Sequence, residues 1–184
     1  MKEIIKVAKE YKGARKYSAR HRKLVRVFNT VKPFGYTAHI SDPWCAIGIS
    51  SWAIIAYGKD AAKKYFPLSA GVPSMVALSI KMGIWIESDT ATPKKGWWCC
   101  YDWQDSGYGD NHGSPDHVGL VTSVDPDNGR FFVLECNKGI ESICGYREMA
   151  VNGKYIRGFI KPNYKAVEKP VDIVDKKEGK ENEF

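Results

Sequence analysis

Apolar residues recur along the first part of the chain at the three- and four-residue spacing of helices, and from residue 84 onward they fall into the short runs of strands. Ile4, Ile5, Ala8 and Tyr11, then Tyr17, His21, Leu24, Val25 and Phe28, predict two short helices with basic outer faces. Lys32-Pro33-Phe34-Gly35-Tyr36 reads as a loop. A third helix begins near Pro43 and runs through Trp44, Ile47, Trp52, Ile54 and Ile55 to Gly58, a residue suited to end it. Lys59 to Phe66 and Pro73 to Met82 predict two more, the latter closed by Gly83. Strands are expected over Ile84–Glu87, Trp97–Trp103, His117–Val124 and Arg130–Cys136, with a final pair joined as a type I′ hairpin at Asn152-Gly153. Helices first and an antiparallel sheet second make the expected fold class α+β.

Charge divides the chain differently. Residues 1–32 carry eleven Lys/Arg against Glu3 and Glu10, whereas residues 33–164 hold twelve basic and thirteen acidic side chains. The net charge of +7 therefore belongs to the N-terminal helices. A solvated helix face explains it without nucleic acid, and an anionic polymer is the partner class that such a face suits. Residues 165–184 hold five Lys and six Asp/Glu with no aromatic residue before Phe184, and read as a charged flexible linker or tail. Residues 1–164 are then one domain. No apolar run approaches membrane-spanning length and Met1 to Ala8 does not read as a signal peptide. The expected place of synthesis is the cytoplasm, with a monomeric chain that does not insert into membranes.

Five cysteines form an odd set without the spacing of a zinc site, so at least one thiol stays unpaired. Cys99 and Cys100 point to opposite faces if they lie in a strand. Cys45 stands apart from the rest. With Asp42 as N-cap and Pro43 as first helical residue, the unpaired N–H groups and positive dipole end of the third helix suit a nucleophilic thiolate at Cys45. About seventy residues on, His117 opens a strand, and Glu135-Cys136-Asn137 closes the next one. If the intervening Asp125-Pro126-Asp127-Asn128-Gly129 is an odd-length loop, Val124 faces Arg130, Gly119 faces Glu135 and His117 faces Asn137. His117, Glu135 and Asn137 then share one face. A cysteine nucleophile, a histidine base and a carboxylate or amide that orients it are the groups that acyl transfer through a thioester requires.

These residues resemble the CHAP domain family of peptidoglycan hydrolases, papain-like enzymes common in phage endolysins. The resemblance is carried by Phe28-Asn29, Gly35-Tyr36, Trp44-Cys45-Ala46, Ser50, Gly96, Tyr101-Asp102-Trp103, Asp116-His117-Val118-Gly119-Leu120-Val121, Glu135-Cys136-Asn137 and Tyr155-Ile156-Arg157-Gly158. It implies a papain-like fold with the nucleophile at a helix start packed on the sheet. It also implies Cys45 as nucleophile, His117 as general base and then acid, and Glu135 with Asn137 as the residues that orient His117. The backbone N–H of Cys45 would hold the oxyanion, with Tyr36 as candidate second donor. The implied activity is cleavage of a bacterial cell-wall amide, by an amidase in preference to an endopeptidase, after release through a phage holin-type route or in an extracellular setting. Partners would be peptidoglycan and, through the basic N-terminal segment, anionic wall polymer.

Three positions depart from the family pattern: Gly48, Trp97 after Gly96, and Cys136 between Glu135 and Asn137. A helical glycine costs about 1 kcal/mol relative to alanine. Cys136 should point away from its two neighbours. No cofactor is implied, although the loop from Asp102 through Asp105 and Asp110 to Asp116 is rich enough in oxygen to raise calcium beside the default of a solvated turn. Trp44, Trp97, Trp98 and Trp103 are expected in the core, with one or two available to line a glycan groove. Two rival functions fit the same residues: a wall-binding module with little turnover, and a papain-like acyl transferase or isopeptidase.

Overall fold

The computed structural model describes residues 1–104 and 113–168. Five helices come first: α1 (Lys2–Glu10), α2 (Ala19–Asn29), α3 (Cys45–Tyr57), α4 (Lys59–Tyr65) and α5 (Val72–Lys81). Strands β1 (Trp85–Ile86), β2 (Trp98–Tyr101), β3 (His117–Asp125), β4 (Arg130–Lys138), β5 (Ile143–Ala150) and β6 (Ile156–Ile160) follow, then a short helix α6 (Tyr164–Val167). The strands form one antiparallel sheet in the order β1-β6-β2-β3-β4-β5. The fold class is α+β.

The sequence of α3 is apolar around its circumference, and every residue from Cys45 to Ile54 is buried. A helix of that composition must be enclosed, and α3 packs between α1 and α2 on one side and β3 and β4 on the other. Gly48 permits the close approach. A Cβ there would lie 2.5 Å from Cys136 Sγ and 2.9 Å from Cys136 Cβ. The helix propensity lost at Gly48 is therefore exchanged for contact between α3 and β4. Trp98, Cys100, Val118, Leu120, Leu134 and Cys136 belong to this helix-facing core, while Cys99, Tyr101, Val121, Val133 and Phe159 form a second cluster with the half-buried Trp97 and Trp103.

The structure corrects the sequence reading at the β3–β4 hairpin. Asp125 pairs with Arg130, Val124 with Phe131 and Ser123 with Phe132, so Val124 does not face Arg130 and the turn is even. A one-residue bulge at Thr122 then shifts the register, giving Val121 opposite Val133 and Leu120 opposite Leu134. Thr122 Oγ1 donates to the Phe132 carbonyl at 3.1 Å within this irregularity. Gly119 consequently does lie against Glu135, whose Cβ is 2.9 Å from where a Gly119 Cβ would be. The expected alignment at the functional end is produced by a compensating slip.

The expected hairpin at Asn152-Gly153 is also overturned. Among the strands β5 pairs with β4 alone, its start also bridging to Arg15 outside the sheet, whereas β6 lies between β1 and β2. Asn152 does adopt a left-handed φ of 58°, and Gly153 N–H donates to Ala150 C=O at 3.0 Å, but this turn launches a crossover. Ile156, Phe159 and Ile160 are almost fully buried. Pairing β6 with β5 would leave that apolar strand at an edge. Tyr17 differs too: it precedes α2, with φ 66°, and Ser18 supplies the cap by accepting from His21 N–H at 3.3 Å.

Helix α6 straddles the expected domain boundary at residue 164. Tyr164 is buried with its hydroxyl donating to Gly96 C=O at 2.6 Å, Val167 packs on the core, and Glu168 pairs with the Met1 amino group. The remainder of the expected linker, residues 169–184, lies outside the described residues, as do Asp105 and Asp110 of the calcium reading. No helix among the described residues is long and apolar enough to cross a membrane.

Candidate active site

Cys45 is the first residue of α3, with Trp44 at the N-cap and no side-chain cap. The expectation of an Asp42 cap and helical Pro43 is corrected here. Asp42 is drawn away, its Oδ2 accepting the Tyr36 hydroxyl and the His39 N–H, both at 2.8 Å. The first intrahelical bond runs from Gly48 N–H to Trp44 C=O at 2.8 Å. The N–H groups of Cys45, Ala46 and Ile47 thus precede the helical ladder. Trp44 is fixed by donation from its indole N–H to Ser142 Oγ at 2.8 Å and by the edge of His21 at 4.7 Å between ring centres.

His117 starts β3 and is 6% exposed, close enough to Cys45 for thiol and imidazole to interact. Its Nε2 lies 3.6 Å from Glu135 Oε2, an ion-pair separation longer than a hydrogen bond. Glu135 is completely buried on β4. Its other oxygen, Oε1, accepts from Arg147 Nε at 2.8 Å and from the terminal guanidinium nitrogen at 2.7 Å. Arg147 in turn lies 4.7 Å over the Trp103 ring, which stacks on Tyr101.

The electrostatics follow from burial and charge pairing. Burial disfavours the imidazolium of His117, but Cys45 and Glu135 together outweigh it and raise His117 to about 9. Burial likewise disfavours the Glu135 carboxylate, yet His117 and Arg147 hold it below the ordinary range. A histidine stabilised in its charged form beside a thiol and a dry carboxylate can stabilise a thiolate and donate a proton to a departing amine.

Asn137 is not brought to His117. It sits in the bulge between Glu135 and Lys138 with φ 58°, which turns it out of the regular strand alternation. Its Oδ1 accepts from Ser142 Oγ at 2.5 Å, so it buttresses Trp44 through Ser142. Tyr36 is 44% exposed and lines the same cleft as Cys45, with its hydroxyl donated to Asp42. The cleft has a volume of about 420 Å³ and includes Pro43, Gly71, Gln104 and Asp116 in its walls. Asp116 accepts from Trp103 N–H at 3.2 Å and Gln104 Nε2 at 3.0 Å, while its Oδ1 is buried without a partner. Burial raises the Asp116 carboxyl. Trp44 and Trp98 are fully buried as expected of core residues, and none of Trp44, Trp97, Trp98 and Trp103 lines this cleft.

Arg147 and Ser142 were not legible as site residues. The useful signal for Arg147 is Gly145: opposite Glu135 in the register, it has no side chain, so Arg147 two residues on reaches across the same face. For calcium, Asp102 is 4% exposed and its Oδ1 accepts from Gln104 N–H at 3.0 Å, a local turn contact. Among the described residues there is no group of three or more His, Cys, Asp or Glu placed to hold a metal ion. No protein-family model matches the chain, and no curated protein matches it either.

Proposed function

We propose that this chain is a papain-like, endolysin-type cysteine hydrolase of the CHAP kind that cleaves an amide bond of bacterial peptidoglycan, with an amidase favoured over an endopeptidase by family resemblance. The observation that carries the catalytic part is the interaction of Cys45, which lines the cleft at the open end of α3, with a buried His117 that is backed by Glu135. The substrate class rests on the sequence resemblance.

In the proposed reaction Cys45 Sγ attacks the amide carbonyl while His117 carries the proton. The tetrahedral oxyanion is held by the Cys45 N–H, with Tyr36 turning from Asp42 as second donor. The C–N bond breaks as His117 protonates the amine, leaving a thioester on Cys45. Water then attacks the thioester, His117 accepts its proton, and the acid is released with the thiolate regenerated. Glu135 stabilises the imidazolium throughout, and Arg147 keeps Glu135 ionised in its dry position. The mechanism uses no metal or cofactor.

The exposed Lys2, Lys6, Lys9, Lys12, Arg22, Lys23 and Arg26 on and beside α1 and α2 support the second part of the reading, attraction to anionic wall polymer. A suspension of purified wall should lose turbidity with the native chain and not with Cys45→Ala. Equal clearing by both proteins would end the catalytic reading. Retention on wall by Cys45→Ala that weakens with salt, without any clearing by the native chain, would favour the binding-module rival.

A further inference from the structure

Four of the five cysteines play no part in that chemistry, and two of them face each other. The β4–β5 register sets Glu135 opposite Gly145 and Lys138 opposite Ile143, so Cys144 lies across from the bulged pair Cys136-Asn137. Cys144 turns its backbone the other way: its N–H donates to Ala14 C=O at 2.7 Å and its C=O accepts from Gly13 N–H at 2.8 Å. Relative to β4 it therefore occupies a non-hydrogen-bonded position. In a regular ladder, facing residues at such a position stand about 4.5 Å apart at Cα, within the span of roughly 4.4–6.8 Å that a disulfide bridges. Both are free thiols buried in the helix-facing core, close enough to interact electrostatically. Cys99 and Cys100, by contrast, belong to opposite faces of β2.

We infer that Cys136 and Cys144 form a reversible cross-strand disulfide, a modification site distinct from the Cys45 nucleophile. Formation by exchange with a small-molecule disulfide is balanced: one thiolate displaces a thiol to give a mixed disulfide, the other displaces the second thiol, and two protons leave. The two cysteines are oxidised and the reagent is reduced to two thiols. Burial pushes the Cys136 thiol up, so exchange proceeds through openings of the start of β5, which release it from β4 and from the Gly13–Arg15 segment together. The bond would close residues 137–143 into a loop. That loop contains Asn137 and Ser142, the pair that holds the Trp44 indole beside Cys45. Cys136 Sγ also fills the space beside Gly48, one turn along α3 from Cys45. Oxidation therefore staples the edge of the sheet and braces the start of α3 in one step.

The test uses full-length protein carrying Cys45→Ala, so that no reagent is captured by the cleft thiol and the result does not depend on wall cleavage. Incubation with oxidised glutathione should remove two hydrogens from the intact mass, and digestion without reductant should yield a peptide joined through Cys136 and Cys144. For a loop of about nine residues, Tm should rise by about 5 °C or more and return on reduction. Cys144→Ala in the same background, checked for folding by circular dichroism, should neither lose the two hydrogens nor gain in Tm. Four free thiols persisting in the folded protein, or a bridge mapped to any other pair, would overturn the inference. Failure of the native chain to clear wall would bear on the proposed function and leave this result untouched.

Discussion

Replacing Glu135 by glutamine keeps the shape of a buried side chain and removes the charge that His117 and Arg147 share. His117 stands at about 9 against an ordinary 6.5, which corresponds to about 3 kcal/mol in favour of the protonated ring. That balance has burial on one side and Cys45 with Glu135 on the other. Without the carboxylate, burial and the unneutralised Arg147 cation act against Cys45 alone, so His117 should titrate at least about one unit lower. Both Arg147 contacts, at 2.7 and 2.8 Å, run to Oε1, which glutamine retains as an acceptor, so Arg147 loses the opposite charge of a fully buried group and keeps an oxygen to donate to. Breaking one side of a buried pair costs about 3–5 kcal/mol, and the partial exposure of Arg147 places this case at the lower end. The pH window follows from the two directions. The His117 contribution is complete below about 6.5 and is lost as pH rises through about 9; the Glu135 contribution is complete above about 4.5 and is lost as pH falls through its depressed value. The stability difference between native protein and Glu135→Gln should therefore be greatest near pH 5–6 and shrink above pH 9. NMR titration of the His117 ring, with urea unfolding at several pH values, reads both quantities. An unchanged His117 titration, or equal stability of the two proteins at pH 5.5, would refute the electrostatic account.

Three further outcomes follow from the packing and the cleft. Gly48→Ala should lower unfolding stability by about 1–3 kcal/mol despite a helix-propensity gain near 1 kcal/mol, because its Cβ meets Cys136 at 2.5 Å; a stabilised variant in urea would contradict the packing. Tyr36→Phe should reduce kcat on wall fragments by about tenfold or more with little change in KM if its hydroxyl serves the oxyanion; equal kcat would remove it from that role. A chelator should leave Tm and wall clearing unchanged, as the local turn contact of the buried Asp102 carboxylate implies, and a drop in either would revive the calcium reading.

The parts legible in the sequence are those fixed by local pattern. The apolar circumference of α3, the strand opening at His117 and the alternation that separates Cys136 from Glu135 all follow from side-chain period. What escaped was set by which partners the folded chain brings together. Asp42 has the composition of a cap, but Tyr36 and His39 compete for its carboxylate and leave Trp44 at the helix entrance. Asn152-Gly153 makes a turn as its local chemistry dictates, yet burial of Ile156 and Phe159 decides where the next strand goes. At Thr122 the bulge offsets the even turn, so Gly119 meets Glu135 as an odd turn without a bulge would have placed it. Arg147 could be found only once Gly145 was known to lie opposite Glu135.

The most direct test of the central claim is mass spectrometry of the fragments released from defined peptidoglycan by the native chain, Cys45→Ala and His117→Ala. The account predicts that the native chain releases fragments bearing a new amine and a new carboxylic acid, with water added across one amide bond and no new reducing sugar, and that neither variant releases them. Fragments with new reducing ends, or the same amide products from Cys45→Ala, would contradict it.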